Sequence, residues 1–205
     1  MRVVGGRWRG RRLVAPAGRA TRPTADKVRE AVFDVLAALL MADAANGLER
    51  SRDEAGEAGL AAPLAGLAVL DLFAGSGALG IEALSRGAAW CTFVERGAAA
   101  VRALRENLAR VGASAGCVRV RATDYRRALK ADAAQGGLYN LVFVDAPYAQ
   151  YAAVEPVLAA ALRTVLAPRA LVVVETARGQ EVRLPLVERS VKLYGDTRVT
   201  FLSEV

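Results

Sequence analysis

Residues 141–148, LVFVDAPY, place an acid, a proline and an aromatic ring directly after an apolar run typical of a buried strand. The Asp145 carboxylate and the Ala146 backbone carbonyl could accept the two hydrogens of an exocyclic nucleobase amine. Pro147 restricts the residue before it, and the Tyr148 ring offers a face on which an unstacked base can lie. These four residues are therefore candidate catalytic residues for methylation of a base amine. The alternative is that Asp145 caps the next helix and Tyr148 only packs.

A second candidate site is the glycine-rich sequence LDLFAGSGALG, residues 70–80. Gly75, Gly77 and Gly80 have the G-x-G-x-x-G spacing of a dinucleotide-binding turn. Asp71 lies inside the preceding strand, where a carboxylate would repel a pyrophosphate. It would suit the ammonium and sulfonium groups of S-adenosylmethionine, which carries no phosphate, so the pattern favours that cofactor. The alternative is a tight turn in which Asp71 caps the helix.

Two further acids follow later strands. Glu95 could accept hydrogen bonds from both ribose hydroxyls, and Asp124 could reach the adenine amine. Ligands of such sheets bind outside the carboxyl ends of the strands, where all of these acids are expected. Together with flanking residues of the same turns, the predicted cofactor-binding set is Asp71, Phe73, Ala74, Gly75, Ser76, Gly77, Glu95, Arg96, Asp124 and Tyr125.

The chain of 205 residues has no histidine and only two cysteines, Cys91 and Cys117. This composition argues against an imidazole general base, a disulfide framework or a zinc site, and we predict no metal. No apolar run reaches the roughly 18 residues of a membrane span, and the N-terminal MRVVGGRWRG has arginine and glycine where a signal peptide is apolar. We expect a cytoplasmic monomer.

Regular elements must position these residues. The predicted strands are AVLDLF, WCTFVE, VRVRA, NLVFVD and ALVVVET, each separated from the next by a helical pattern. Such alternation predicts an α/β fold with a parallel sheet covered by helices on both faces. Two more β-type runs, LVERSVKLY and TRVTFLSEV, predict an antiparallel edge.

Before the sheet, residues 21–40 predict a helix with Thr24 as N-cap. Its expected apolar face consists of Val28, Val32, Val35, Leu36 and Leu39. Residues 42–64 are rich in alanine, glycine and charge without clear periodicity, so we predict a flexible insertion there.

The positive charge lies in the N-terminal segment. Residues 1–30 hold nine basic and two acidic residues, a net of +7 that equals the net charge of the whole chain. We interpret residues 1–23 as a basic arm, folded as a β-hairpin, ahead of a methyltransferase domain at 24–205. The predicted RNA contacts are Arg2, Arg7, Trp8, Arg9, Arg11, Arg12, Arg22, Lys27 and Arg29. For Trp8 the alternative is that its ring only packs. A solvated basic tail is the alternative.

Four stretches together resemble the RsmD family of bacterial methyltransferases, which modify a guanine N2 in 16S ribosomal RNA. They are MRVVGGRWRGRRL with TRPTADKVREAVFDVL, LDLFAGSGALGIEALSRGA, FVDAPY and YGDTRVTFL. The resemblance runs almost from end to end, interrupted mainly at 42–64. Where the family usually has Asp-Pro-Pro-Tyr or Asp-Pro-Pro-Phe, this chain has Ala146 in place of the first proline.

The resemblance implies a seven-stranded, Rossmann-like class I methyltransferase fold with an N-terminal hairpin. It also implies direct transfer from S-adenosylmethionine to guanine N2, in an assembled or partly assembled small ribosomal subunit. Amine methylation of DNA stays open, because the tetrad recognises an amine and not a particular base. Two interpretations from other classes are a nicotinamide-dependent oxidoreductase, which leaves Asp71 unexplained, and a non-catalytic RNA-binding protein, which leaves the aligned acids unexplained.

Overall fold

The computed structural model describes residues 1–15, 24–46 and 62–204. Its helices and strands, in chain order, are α1 Thr24–Ala45, β1 Ala68–Leu72, α2 Ala78–Ser85, β2 Trp90–Val94, α3 Ala98–Arg110, β3 Val118–Arg121, α4 Tyr125–Ala134, β4 Tyr139–Val144, α5 Tyr148–Ala161, β5 Leu166–Ala177, β6 Val187–Tyr194 and β7 Thr197–Ser203. Short 3-10 turns lie at Gly6–Trp8, Ala115–Cys117 and Leu162–Val165.

The seven strands form one sheet in the order β3-β2-β1-β4-β5-β7-β6. Strands β1 to β5 run parallel to one another, and β7 is antiparallel to both β5 and β6. The predicted parallel sheet with an antiparallel edge is confirmed. From β1 the chain moves outward through β2 and β3, whereas from β4 it moves the other way. The order therefore reverses between β1 and β4, which opens a crevice at their carboxyl ends.

Two cores cover the two faces of the sheet. Along β4, Leu141 and Phe143 belong to the core beneath α1, α2 and α3, whereas Val142 and Val144 belong to the core beneath α4 and α5. Successive strand residues point to opposite faces, so a strand buried on both sides must be apolar at every position. This explains the continuous apolar run that ends at Asp145.

Helix α1 starts at Thr24 itself, one residue earlier than it would with Thr24 as its N-cap. Of the predicted apolar face, Val32 and Leu36 are buried, and the three other members pack against the same core. The helix continues to Ala45, because alanine favours the helix and because Asp43 pairs with Arg189 on β6 at 2.7 Å.

The predicted bounds of the insertion, 42–64, therefore include structured residues at both ends. Its first residues are helical, and Leu64 near its end is a fully buried member of the core. Residues 47–61 lie outside the described residues.

The arm packs on the core at three apolar positions, Val3, Trp8 and Leu13. The predicted hairpin is present as a short antiparallel pairing around a bridge between Arg2 and Arg12, with a 3-10 turn between them. Backbone hydrogen bonds of 2.9 to 3.0 Å also join Val3 to Arg11 and to Gly10, and Leu13 to Met1. The turn lies close to α2. Gly6 has φ +71, and a Cβ there would lie 1.9 Å from the Ser85 carbonyl oxygen.

Side chains of α2 bind the backbone of the arm between its two paired segments. The buried Glu82 carboxylate accepts hydrogen bonds from the backbone amides of Val4 and Gly5 at 2.8 and 2.7 Å. Ser85 accepts from the Trp8 amide at 2.9 Å and donates to the Gly5 carbonyl at 2.6 Å. The described part of the arm is thus a packed element of the domain.

None of the helices in the described ranges has the length and apolar character needed to cross a membrane. Within the same ranges, no group of three or more His, Cys, Asp or Glu side chains is arranged to hold a metal ion. Both cysteines are free thiols, Cys91 buried and Cys117 partly exposed.

Candidate active site

A cavity of about 490 Å³ opens at the carboxyl ends of β1 to β4. Eight predicted site residues line it, namely Phe73, Gly75, Glu95, Arg96, Asp124, Tyr125, Asp145 and Pro147. Six predicted site residues do not, namely Asp71, Ala74, Ser76, Gly77, Ala146 and Tyr148. The fold therefore brings residues from four separate turns to one crevice.

The turn after β1 is held in a left-handed conformation at three positions. Phe73, Gly75 and Gly77 have φ values of 64, 57 and 80. The conformation is unfavourable for phenylalanine and is stabilised by its ring, whose centroid lies 4.9 Å from that of Tyr125. At Gly77 a Cβ would lie 2.3 Å from a methyl carbon of Leu104, so glycine is required there for packing as well as for the backbone.

Asp71 lies beneath this turn and is 1% exposed. Its carboxylate accepts a hydrogen bond from the Gly80 amide at 2.9 Å, in the first turn of α2. Gly77, at the N-cap of that helix, has no side chain for this role, so Asp71 supplies it from the strand. Burial raises the pKa of Asp71 to about 7, against the opposing effect of the Gly80 hydrogen bond, and the Glu95 charge raises it further.

Glu95 holds two turns together at the cavity wall. One carboxylate oxygen accepts from the Gly75 amide at 3.0 Å, and the other accepts from the Gly97 amide at 2.6 Å. Each carboxylate oxygen can accept a further hydrogen bond. Glu95 is half-buried and lines the cavity, so it can still accept from a pair of ligand hydroxyls.

Asp124 and Arg96 lie on the next stretch of wall. Asp124 caps α4 by accepting from the Arg126 amide at 2.9 Å. The exposed Arg96 guanidinium lies 4.0 Å from the second Asp124 oxygen and donates to the Gln150 side chain, on α5, at 3.5 Å. Arg96 therefore reaches from one side of the cavity mouth to the other.

Tyr125 presents an unsatisfied polar group in this wall. Its hydroxyl is buried and has no hydrogen-bond partner among the described residues. Burial is the main cause that raises the pKa of Tyr125, while the Arg126 charge opposes the rise. The hydroxyl is therefore a neutral group in need of a partner, which a bound ligand could provide.

The DAPY tetrad follows β4 on the facing side of the cavity. Asp145 is exposed, whereas Ala146 is buried. Pro147 occupies the N-cap position of α5, and its carbonyl accepts from the Gln150 amide at 2.7 Å. Pro147 is thus the residue directly before the helix. Asp145 does not occupy the N-cap position, which was the alternative interpretation of this residue.

Tyr148 is oriented through its hydroxyl. The hydroxyl donates to Glu175 at the end of β5 at 2.9 Å and lies 2.8 Å from the Thr197 hydroxyl at the start of β7. Burial raises the pKa of Tyr148 to about 12, with the neighbouring Glu175 charge also raising it and the Thr197 hydrogen bond opposing the rise. The ring is therefore a neutral phenol held in one position beside Asp145.

The predicted RNA contacts divide by burial. Six are exposed, namely Arg2, Arg7, Arg9, Arg11, Arg12 and Lys27. Arg22 lies outside the described residues. Trp8 and Arg29 are only 7% and 4% exposed, so their prediction as RNA contacts is corrected.

The burial of these two side chains has a clear cause. Trp8 packs in the core with the Arg7 guanidinium 4.2 Å from its ring centroid. Arg29 pairs with Asp26 at 3.0 Å, lies 3.6 Å from Glu82, and donates to the Arg2 carbonyl. Both are needed inside the domain to hold the arm on α1 and α2.

Sequence reasoning missed a residue that joins the arm to the cofactor turn. Asn107 on α3 is fully buried and donates to the carbonyls of Val14 and Ser76, both at 2.9 Å. Its side-chain oxygen accepts from the Val14 amide at 2.8 Å. An asparagine on the apolar face of an amphipathic helix, between Leu104 and Leu108, is the signal that could have identified it.

Comparison with known proteins identifies the family to which the chain belongs. A family model described as "Conserved hypothetical protein 95" matches residues 1–203. The ribosomal RNA small subunit methyltransferase D of Escherichia coli K12 is 39% identical over 148 residues, which are 72% of this chain and 60% of that protein. The alignment thus spans less than two thirds of that relative's length.

Solved structures extend the likeness to the whole chain. A hypothetical protein of Thermus thermophilus is 30% identical with a TM-score of 0.74, over 100% of this chain and 99% of that chain. The S-adenosylmethionine-dependent methyltransferase of Agrobacterium tumefaciens, at 17% identity and a TM-score of 0.55 over 78% of this chain and 47% of that chain, shares the fold. The fold is the Rossmann-like fold of these methyltransferases, and the chain belongs to the RsmD family.

Proposed function

We propose that the protein transfers a methyl group from S-adenosylmethionine to the exocyclic N2 amine of a guanine in 16S ribosomal RNA. One observation carries the proposal. A single cavity is lined by Glu95, Asp124 and Asp145, each at the carboxyl end of a different strand, with Pro147 beside the last of them. Two of these acids suit the nucleoside part of the cofactor, and the third suits an amine.

The cofactor turn fits S-adenosylmethionine better than a nicotinamide dinucleotide. In a dinucleotide-binding turn, free backbone amides face a pyrophosphate. Here the Gly75 amide is already bound by the Glu95 carboxylate at 3.0 Å, and the turn from Phe73 to Gly77 has no basic residue. A pyrophosphate would meet a negative charge there, whereas the ribose hydroxyls and ammonium group of S-adenosylmethionine would meet acceptors.

The remaining wall supports the same cofactor. The unpartnered Tyr125 hydroxyl and the Asp124 carboxylate can bind polar edges of the adenosine, and the Phe73 ring packed on Tyr125 supplies an apolar surface. When bound, S-adenosylmethionine supplies a methyl group on a sulfonium ion. The Arg96 side chain, which reaches Gln150, would limit the access of water to the mouth of the cavity.

The facing side of the cavity supports amine chemistry. The Asp145 carboxylate at the cavity wall and the backbone carbonyl of the adjoining Ala146 would accept the two amine hydrogens and orient the nitrogen lone pair toward the methyl group. The new N–C bond would form as the S–C bond of the sulfonium breaks, leaving S-adenosylhomocysteine, and the nitrogen would lose one proton to solvent. Because the pKa of Tyr148 is raised to about 12, its phenol remains neutral. Tyr148 does not line the cavity itself but directly follows Pro147, which does, and its ring would serve as a surface for the base. Positioning contributes most of the rate enhancement.

The identity of the nucleic acid is supported by family membership and by the exposed arginines of the arm. Relatives carry the name of ribosomal RNA small subunit methyltransferase D. We place the reaction in the cytoplasm, on an assembled or partly assembled subunit, and expect the protein to act as a monomer.

Side-by-side methylation tests the substrate. Unmodified small subunits, free 16S ribosomal RNA and duplex DNA are each incubated with methyl-labelled S-adenosylmethionine and the protein. We expect label in ribosomal RNA, with the subunit preferred over free RNA. Preferential labelling of DNA would favour the remaining alternative, and labelling of none with intact cofactor binding would refute the proposal.

A further inference from the structure

The exposed Arg11 of the arm lies far from the cavity. Helix α3 begins beside the cavity, where Ala99 and Ala100 line it, and ends at Arg110. The Arg11 guanidinium donates to the Arg110 carbonyl at 3.3 Å. Ten residues of helix separate Ala100 from Arg110, so Arg11 is about 15 Å from the cavity along the helix axis.

The outer face of α3 carries further arginines across this gap. Arg102 and Arg105 are exposed, three residues apart on one side of the helix, and neither pairs with a carboxylate within the described ranges. Glu106, the one acid of the helix, is bound by Arg110 through two contacts at 3.0 and 2.7 Å. Among the described residues, the charges of Arg102 and Arg105 therefore have no carboxylate that neutralises them.

Several other arginines of the domain are neutralised. Arg163 and Arg189 each form an ion pair at 2.8 Å or less with a carboxylate distant in sequence, and Arg86 pairs at 2.8 Å with Glu82, one helical turn earlier. Unpaired exposed arginines beside a basic segment are the pattern expected where phosphates bind.

We propose that Arg102, Arg105 and Arg11 form a strip that binds the phosphate backbone of the RNA substrate between the arm and the cavity. This α3 strip extends the proposed function, on which it rests, by assigning the path that the RNA takes across the protein. RNA bound along the strip reaches the cavity at its Arg96 side. Charge complementarity argues for a polyanion, and the catalytic tetrad argues that it carries bases.

A matched control is available on the opposite face of the sheet. Arg127 and Lys130 on α4 are also exposed, also three residues apart, and also within a few turns of the cavity. They do not adjoin the arm in the described structure. The test compares two double variants, each of which removes two positive charges. The α3 variant carries Arg102→Gln and Arg105→Gln, and the α4 variant carries Arg127→Gln and Lys130→Gln.

The probe is transcribed 16S ribosomal RNA, with binding measured from 50 to 200 mM salt and methyl transfer measured on small subunits. Two lost phosphate contacts should flatten the slope of log affinity against log salt by roughly 1.4 to 1.8 and weaken binding by about 15- to 30-fold at 0.15 M salt. We expect this for the α3 variant, with a raised KM for RNA and unchanged affinity for S-adenosylmethionine. The α4 variant should match the wild type.

The α3 strip would be overturned by an equal loss of RNA affinity in both variants, by a loss in the α4 variant alone, or by no loss in either. Each of these results would leave the proposed function intact. If the wild type binds RNA but transfers no methyl group, the proposed function fails, and the salt slopes still decide whether the strip binds RNA.

Discussion

Replacing Asn107 with alanine should loosen the arm and the cofactor turn together. The side chain makes three hydrogen bonds, two with the Val14 backbone in the arm and one with the Ser76 carbonyl in the turn. It is fully buried, so water cannot replace these bonds without rearrangement. One substitution therefore removes the polar link between two segments that are 62 residues apart in the sequence.

The expected magnitude follows from the three bonds. At about 1 kcal/mol for each net hydrogen bond, Asn107→Ala should lower the free energy of unfolding by about 3 kcal/mol. For a domain of this size, about 2 to 4 °C in Tm accompany each kcal/mol, so Tm should fall by about 6 to 12 °C. Loss of the hydrogen bond to the Ser76 carbonyl should by itself lower the affinity for S-adenosylmethionine by about fivefold, which corresponds to about 1 kcal/mol.

Thermal unfolding and calorimetric titration with S-adenosylmethionine measure both effects. The control is Glu106→Ala, at the preceding position, whose side chain is exposed and pairs only with Arg110. That pair should contribute no more than about 0.5 kcal/mol, so the control should stay within about 2 °C of the wild type. If Asn107→Ala melts as the control does and binds the cofactor normally, the link has no energetic role.

Three further predictions concern the site. Glu95→Ala should weaken S-adenosylmethionine by roughly 1.5 to 3 kcal/mol in calorimetry, and unchanged affinity would remove Glu95 from the site. Asp145→Ala should retain cofactor affinity while methyl transfer falls by at least about 100-fold, because this acceptor acts on the nucleophile; near-normal turnover would contradict that role. The pKa of Asp71 is raised from 3.8 to about 7, so its stabilising contribution is complete below pH 3.8 and is lost as pH rises through 7. Asp71→Asn cannot ionise, so its Tm relative to that of the wild type should increase from pH 5 to pH 8, and parallel Tm profiles would refute this.

The sheet could be predicted because its strands are apolar at successive positions. The run from Leu141 to Val144 has one arrangement that buries every side chain, a parallel strand covered on both faces. The acids at the strand ends could then be placed at one edge, since parallel strands share their direction. Asp71 is the one acid that was misplaced. It lies inside β1, opposite Phe93 of β2, and its carboxylate therefore lies beneath the glycine turn and not in the cavity.

The arm could not be predicted in the same way, because its partners are distant in sequence. The amides of Val4 and Gly5 are bound by Glu82, nearly 80 residues later, so the backbone pairing of the hairpin is short and the segment beyond it is held by side-chain contacts with α2. Trp8 among arginines indicated an exposed ring, yet the tertiary structure buries it. Asn107 gave a local signal, but its two partner segments are visible only in the folded chain.

Nucleoside analysis of methylated small subunits tests the central claim most directly. Subunits incubated with the wild-type protein and S-adenosylmethionine are digested to nucleosides and compared by mass spectrometry with subunits treated with Asp145→Ala. We expect N2-methylguanosine to increase with the wild type and to be absent above background with the variant. A methyl group on another atom or another base, or equal amounts of N2-methylguanosine from both proteins, would contradict the account.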